Sequence, residues 1–310
     1  MGKATRDAYG ETLKELGAIY PDLVVLDADL SASTKTQDFA KVYPERFFDC
    51  GIAEGNMMSV AAGLAAAGKI PFASTFAIFG AGRAYEQIRN SICYPKLNVK
   101  IALTHAGLTV GEDGATHQML EDIALMRVLP NMTVIVPADA EETKAAVKWA
   151  ASYQGPVYIR MGRAKCDDVT AENTPFVPGK AMVLRKGYDI TIIACGIMVG
   201  KALQAADILK GAGITARVIN MSSIKPIDED VIIKAASDTG AIVTAEEHQV
   251  QGGLGSAVAE VVVTHCPVPM AMIGVEDRFG ESGKADDLLK AYGLTAAHIA
   301  ETALQLYKRK

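Results

Sequence analysis

The 310-residue sequence predicts an α/β protein with two doubly wound domains, each carrying a mostly parallel sheet covered by helices. Three observations lead there. Short β-branched runs alternate with helical patterns along almost the whole chain, as expected when strands reach their neighbours through crossover helices. Half of the residues are hydrophobic, only 6% are aromatic, and there are 28 glycines, a composition suited to close helix–sheet packing and not to disorder. One polar segment with two prolines, "GRAKCDDVTAENTPFVPG" (162–179), interrupts the alternation and marks a junction. The boundaries read from this are 1–165 for the first domain, 166–179 for the linker and 180–310 for the second domain.

The elements follow in order. "MGKATRDAYGETLKEL" opens as a polar helix and lacks the apolar core of a signal peptide. "LVVLDADL" (23–30) is the first strand, followed by "KIPFAST" (69–75), "NVKIALTH" (98–105), "MTVIVPA" (132–138) and "PVYIRM" (156–161). The helices between them are "GNMMSVAAGLAAAG", which reads as almost wholly buried, then "RAYEQIRNSICY", "QMLEDIALMRVL" and "DAEETKAAVKWAAS". After the junction the strands are "DITIIAC" (189–195), "TARVINM" (215–221), "GAIVTAEE" (240–247) and "VPMAMIG" (268–274). Their helices are "MVGKALQAADILKGAG", "DEDVIIKAASDTG" and "GGLGSAVAEVVVTHC". The chain closes on "TAAHIAETALQLYKRK", an amphipathic helix whose basic end suits the helix dipole.

Bulk properties exclude several classes. The net charge is −5 (31 Lys+Arg against 36 Asp+Glu) with no long basic run, which argues against nucleic acid as the main partner. The five cysteines form no CxxC pair, and an odd number fits reduced thiols. No apolar stretch is long enough to span a bilayer. A soluble, cytoplasmic protein without a membrane partner is expected.

In open α/β sheets ligands gather at the carboxyl ends of the strands. Polar residues recur there: Asp27, Asp29, Ser31 and Ser33 after the first strand, then Ser74, Thr75, Phe76, Phe79 and Arg83. "THAGLTVGEDGATHQ" follows with His105, Glu112, Asp113, Thr116 and His117, and "RMGR" adds Arg160 and Arg163. The glycines of the long loop (Gly107, Gly111, Gly114) suit a chain that bends sharply near a ligand, and its histidines and acids suit hydroxyl orientation or proton movement. An ordinary surface loop is the plainer reading. A metal site fits less well, because the two histidines are twelve apart and no two-His helical pair or Cys cluster is present. "QGGLGSAVAE" (251–260) lacks the GxGxxG spacing and reads as close helix packing or a turn; "EEH" (246–248) reads as a solvated strand end. Glu54 is the one acid between Cys50 and Gly80. Either a partner compensates it, or its proton is what the site uses, or it offsets a helix dipole.

These residues resemble transketolase, from its pyrimidine-binding domain through its C-terminal domain, over essentially the whole chain. The matching pieces are "TRDAYGETL", "DADLSAST", "CGIAEGNMMSVAAGLA", "STFAIF", "THAGLTVGEDGATHQMLEDIALMRVLPNMTVIVPADAEE", "YIRMGR" and "EDRFGESG". The resemblance implies thiamine diphosphate as cofactor. Glu54 would bond the aminopyrimidine ring and favour the tautomer that activates the thiazolium carbon. Phe76 and Phe79 would flank that ring, and Asp29 would lie near it. Asp113 would accept a hydrogen bond from a donor hydroxyl next to the carbonyl, and His117 would bind the donor near its reacting end. Arg6, Ser33, His105 and Arg160 would hold the sugar phosphate. The family's domain for the diphosphate and Mg²⁺ precedes these two, and its GDG motif is not found here. The resemblance therefore implies the C-terminal subunit of a split enzyme, no metal on this chain, Mg²⁺ held by an N-terminal partner subunit, and an α2β2 heterotetramer in which this chain also pairs with itself. The family's third aromatic falls at Gly82, with Tyr85 or Arg83 as compensation, and local departures resemble deoxyxylulose-5-phosphate synthase and the beta subunit of 2-oxo acid dehydrogenases.

Overall fold

A computed structural model describes residues 2–310; Met1, the first residue of the first domain's range, lies outside the described residues. Twelve strands form two sheets. The first sheet has β1 (Leu23–Asp27), β2 (Phe47–Asp49), β3 (Ile70–Ser74), β4 (Lys100–Leu103), β5 (Thr133–Ile135), β6 (Val157–Arg160) and β10 (Ser223–Lys225), in the order β10-β5-β6-β4-β3-β1-β2. The second has β7 (Met182–Arg185), β8 (Ile190–Ala194), β9 (Ala216–Asn220), β11 (Ile242–Gln249) and β12 (Met270–Val275), in the order β12-β11-β8-β9-β7. Every pairing in the first sheet is parallel except β10 with β5, and every pairing in the second is parallel except β7 with β9.

All nine anticipated strands form. β1, β4, β6 and β8 are short runs buried on both faces, as central parallel strands between helix layers must be. The chain adds β2, β7 and β10, each three or four residues long. β10 belongs by sequence to the second half but completes the first sheet, pairing Ser223 with Ile135. One continuous apolar core joins the halves, with Met126, Val134 and Val136 packed among Met221, Ile224 and Ile232. The segment 166–179 carries no helix or strand.

Two local expectations are corrected. The helix Glu54–Ala66 is buried along one face only: Met57, Met58, Ala61 and Ala62 face inward, whereas Asn56, Ser59, Val60 and Gly63 are exposed. Its small residues make both faces look alike in sequence. "RAYEQIRNSICY" is not a uniform α-helix, because Ile78–Arg83 and Ile88–Cys93 are wide π-helical turns around a single α-turn at Tyr85–Gln87. Such turns recur where a helix is re-aimed at a functional site.

Candidate active site

The site lies at the carboxyl edge of β1, β3, β4 and β6. β1 ends at Asp27, whose buried carboxylate accepts from Leu30 N, Thr34 Oγ1 and Thr36 Oγ1 at 2.7–2.8 Å and so shapes the turn bearing Ser33. Burial pushes the Asp27 carboxyl up to about 6 against those bonds. Arg6, in the first turn of the helix Thr5–Ile19, donates to the Ser33 carbonyl at 3.0 Å and to His105 Nε2 at 3.2 Å.

His105 follows β4 with φ 58° and is buried. Its ring stacks on Phe76 with centroids 3.7 Å apart. Burial, then the charges of Arg6 and Arg163, lower it to about 3. The imidazole is therefore neutral: Nε2 accepts from Arg6, so Nδ1 carries the proton and donates to Thr104 Oγ1 at 2.8 Å. It serves as an uncharged hydrogen-bonding group, and the positive charge beside it belongs to the arginines.

Phe76 and Phe79 stack at 5.8 Å, and His117 sits edge-on to Phe79 at 5.4 Å. Glu54 begins its helix, and its Oε1 accepts from Arg83 at 3.2 Å. The Arg83 guanidinium also lies over the Phe79 ring, 4.3 Å from its centroid. A planar group bearing N–H donors can thus touch the Glu54 carboxylate and the Phe79 face at once, so these residues fit an aminopyrimidine ring. Asp113 is exposed on the glycine loop, with Arg163 3.8 Å from it and 3.4 Å from Glu112. Asp29 is exposed at φ 60° and its amide bonds Asp49 Oδ1, which holds it on the neighbouring connection.

Arg160 closes β6. Its Nε donates to Asp122 Oδ2 at 2.7 Å and its Nη2 to the Glu247 and Met119 carbonyls, with the side chain 6% exposed. Nε and Nη2 tie it to both halves, while Nη1 takes part in none of these bonds. Arg163, three residues on, is the arginine that reaches the loop; its guanidinium donates to the Val110 carbonyl. The "EEH" run is corrected: Glu246, Glu247 and His248 are all buried. Among the described residues no group of three or more His, Cys, Asp or Glu is placed to hold a metal ion, and no helix is long and apolar enough to cross a membrane. Sequence reasoning missed Asp122, Gln118 and Glu247, since nothing local distinguishes them from other polar residues.

Comparison with known proteins agrees with this geometry. The family model for the transketolase pyrimidine binding domain matches residues 1–167, and that for the transketolase C-terminal domain matches 179–299. A Methanocaldococcus jannaschii protein described as a transketolase C-terminal section is 54% identical, covering 99% of this chain and 98% of its own length. A 6-deoxy-6-sulfo-D-fructose transketolase subunit of Clostridium sp. is 45% identical over 98% of this chain and 95% of that one. A solved split gene transketolase, an inactive beta4 tetramer, superposes with TM-score 0.93 at 59% identity over 99% of both chains. The chain therefore belongs to the transketolase family. It corresponds to the C-terminal section that split transketolases carry as a separate chain, within a family of thiamine-diphosphate-dependent transferases.

Proposed function

We propose that this chain is the C-terminal subunit of a two-chain transketolase of the cytoplasm. With an N-terminal partner it transfers a two-carbon ketol unit from a ketose phosphate to an aldose phosphate, as in the pentose phosphate pathway. The partner holds Mg²⁺ and the diphosphate of thiamine diphosphate, and the assembly is an α2β2 heterotetramer with the present chains paired. The observation that carries this reading is the convergence of Glu54, Phe76, Phe79, His105 and His117 at one sheet edge.

When bound, thiamine diphosphate supplies the carbon nucleophile that no side chain provides. Glu54 would hold the proton at the pyrimidine nitrogen through a hydrogen bond from its carboxyl group. Phe76 and Phe79 keep the ring flat against them. Asp29 lines the approach to the ring. Asp113 accepts from the donor hydroxyl beside the carbonyl, and His117 orients the reacting end. Arg6, Ser33, neutral His105 and Arg160 bind the sugar phosphate.

Relatives at 45% and 42% identity are subunits named for 6-deoxy-6-sulfo-D-fructose and apulose 4-phosphate, which favours testing more than one donor. The test is ketol transfer from xylulose 5-phosphate to ribose 5-phosphate with thiamine diphosphate and Mg²⁺, by this chain alone and mixed with the N-terminal subunit. Activity only in the mixture is expected. A stable complex that transfers nothing from any of the three donors would favour deoxyxylulose-5-phosphate synthesis or a non-catalytic subunit.

A further inference from the structure

The end of β11 carries buried ionisable groups that the chemistry above does not use. Glu246 is consumed within the second half: its two carboxylate oxygens accept from Leu254 N and Gly255 N at 2.7 Å, closing the start of the helix Leu254–His265. Glu247 reaches the other way. Its Oε1 accepts from the Thr109 amide at 2.5 Å, and its backbone carbonyl accepts from Arg160 at 2.9 Å. Its carboxylate also fills the space that a Cβ on Gly107 would need.

Thr109 lies between His105 and Asp113, in the 3₁₀ turn Leu108–Val110. The far limb of the same loop is held by Gln118, whose Nε2 donates to Gly111 O at 3.3 Å and to Glu281 O at 2.9 Å, the latter again from the second half. Gly107, Gly111 and Gly114 all have positive φ, so the loop's own backbone has many alternatives to this shape. A short bond from the Thr109 amide to a buried carboxyl oxygen selects one of them.

We propose that Glu247 is a positioning residue for the reaction: from the second domain it holds the loop 107–117 in the shape that presents Asp113 and His117 to the donor sugar. The C-terminal domain then takes part in donor selection. This rests on the function proposed above.

The test compares Glu247→Ala and Glu247→Gln with Glu246→Gln, a neighbour that does not touch the loop. Each full chain is followed by amide hydrogen exchange at Thr109. Each complex with the N-terminal subunit is then assayed for xylulose 5-phosphate KM and, by calorimetry, for thiamine diphosphate affinity. Glu247→Ala is expected to speed Thr109 exchange and raise donor KM about tenfold, with cofactor affinity within about twofold. Glu247→Gln, which still offers an acceptor, should retain part of both. Glu246→Gln should lower Tm while leaving Thr109 exchange and KM near wild type. Equal KM changes at 246 and 247, or unchanged Thr109 exchange in Glu247→Ala, would overturn the proposal. If the wild-type complex transfers nothing, the functional reading fails, and Thr109 exchange alone decides whether Glu247 holds the loop.

Discussion

Arg83 reaches Glu54 at 3.2 Å with 58% of its side chain in solvent, whereas Arg160 reaches Asp122 at 2.7 Å with 6% exposed and Asp122 fully buried. The two pairs stand on the same domain and look alike in a list of ion pairs. Their surroundings differ. Asp122 also accepts from the buried Tyr158 hydroxyl at 2.5 Å, and Arg160 spends further donors on the Glu247 and Met119 carbonyls. Glu54 has beside it an arginine that solvent can release and whose guanidinium rests on the Phe79 ring. A buried network of this kind ties the halves together; an exposed pair leaves its carboxylate available for exchange of partners.

The largest effect should come from breaking the closed pair. Asp122→Ala strands a buried guanidinium and is expected to cost about 3–5 kcal/mol, read from urea unfolding. A loss under about 1 kcal/mol would erase the distinction between the pairs. Glu54→Gln should do the reverse. Turnover in the assembled complex should fall about a hundredfold or more, because the proton-sharing acid is gone, while unfolding stays close to wild type. Near-normal turnover would remove Glu54 from the mechanism.

Arg83→Ala sharpens the comparison from the exposed side. Solvent screening limits that pair, so the stability change should stay within about 1 kcal/mol. A cost rivalling that of Asp122→Ala would mean the pair is structural after all. Between pH 5 and 8 the smallest change should be at the His105 ring itself. Its folded value near 3 lies below the unfolded value of 6.5, so between those limits the unfolded chain binds more protons. The stability tied to His105 is therefore complete above pH 6.5 and declines as pH falls towards 3. Ring ¹⁵N shifts should show no titration of His105 between pH 5 and 8; a midpoint near 6.5 would contradict its burial against Phe76.

Much of this was legible beforehand. The strands ending at Asp27, Ser74, Leu103 and Arg160 stand out because β-branched runs and turn residues act over a few neighbours, and the residues just past them form the candidate site. The three extra strands escaped notice because each is too short for a period to develop, and β10 has its partner in the other half.

The sequence by itself therefore determined the doubly wound α/β alternation and which polar residues gather at the strand ends, both consequences of local periodicity and turn chemistry. Tertiary structure alone decided which of those groups stay available. Arg160 is claimed by a carboxylate 38 residues away, and the Glu247 carboxylate is held by an amide 138 residues away. Burying a charge is tolerable only where such distant partners arrive together, and no local pattern records that meeting.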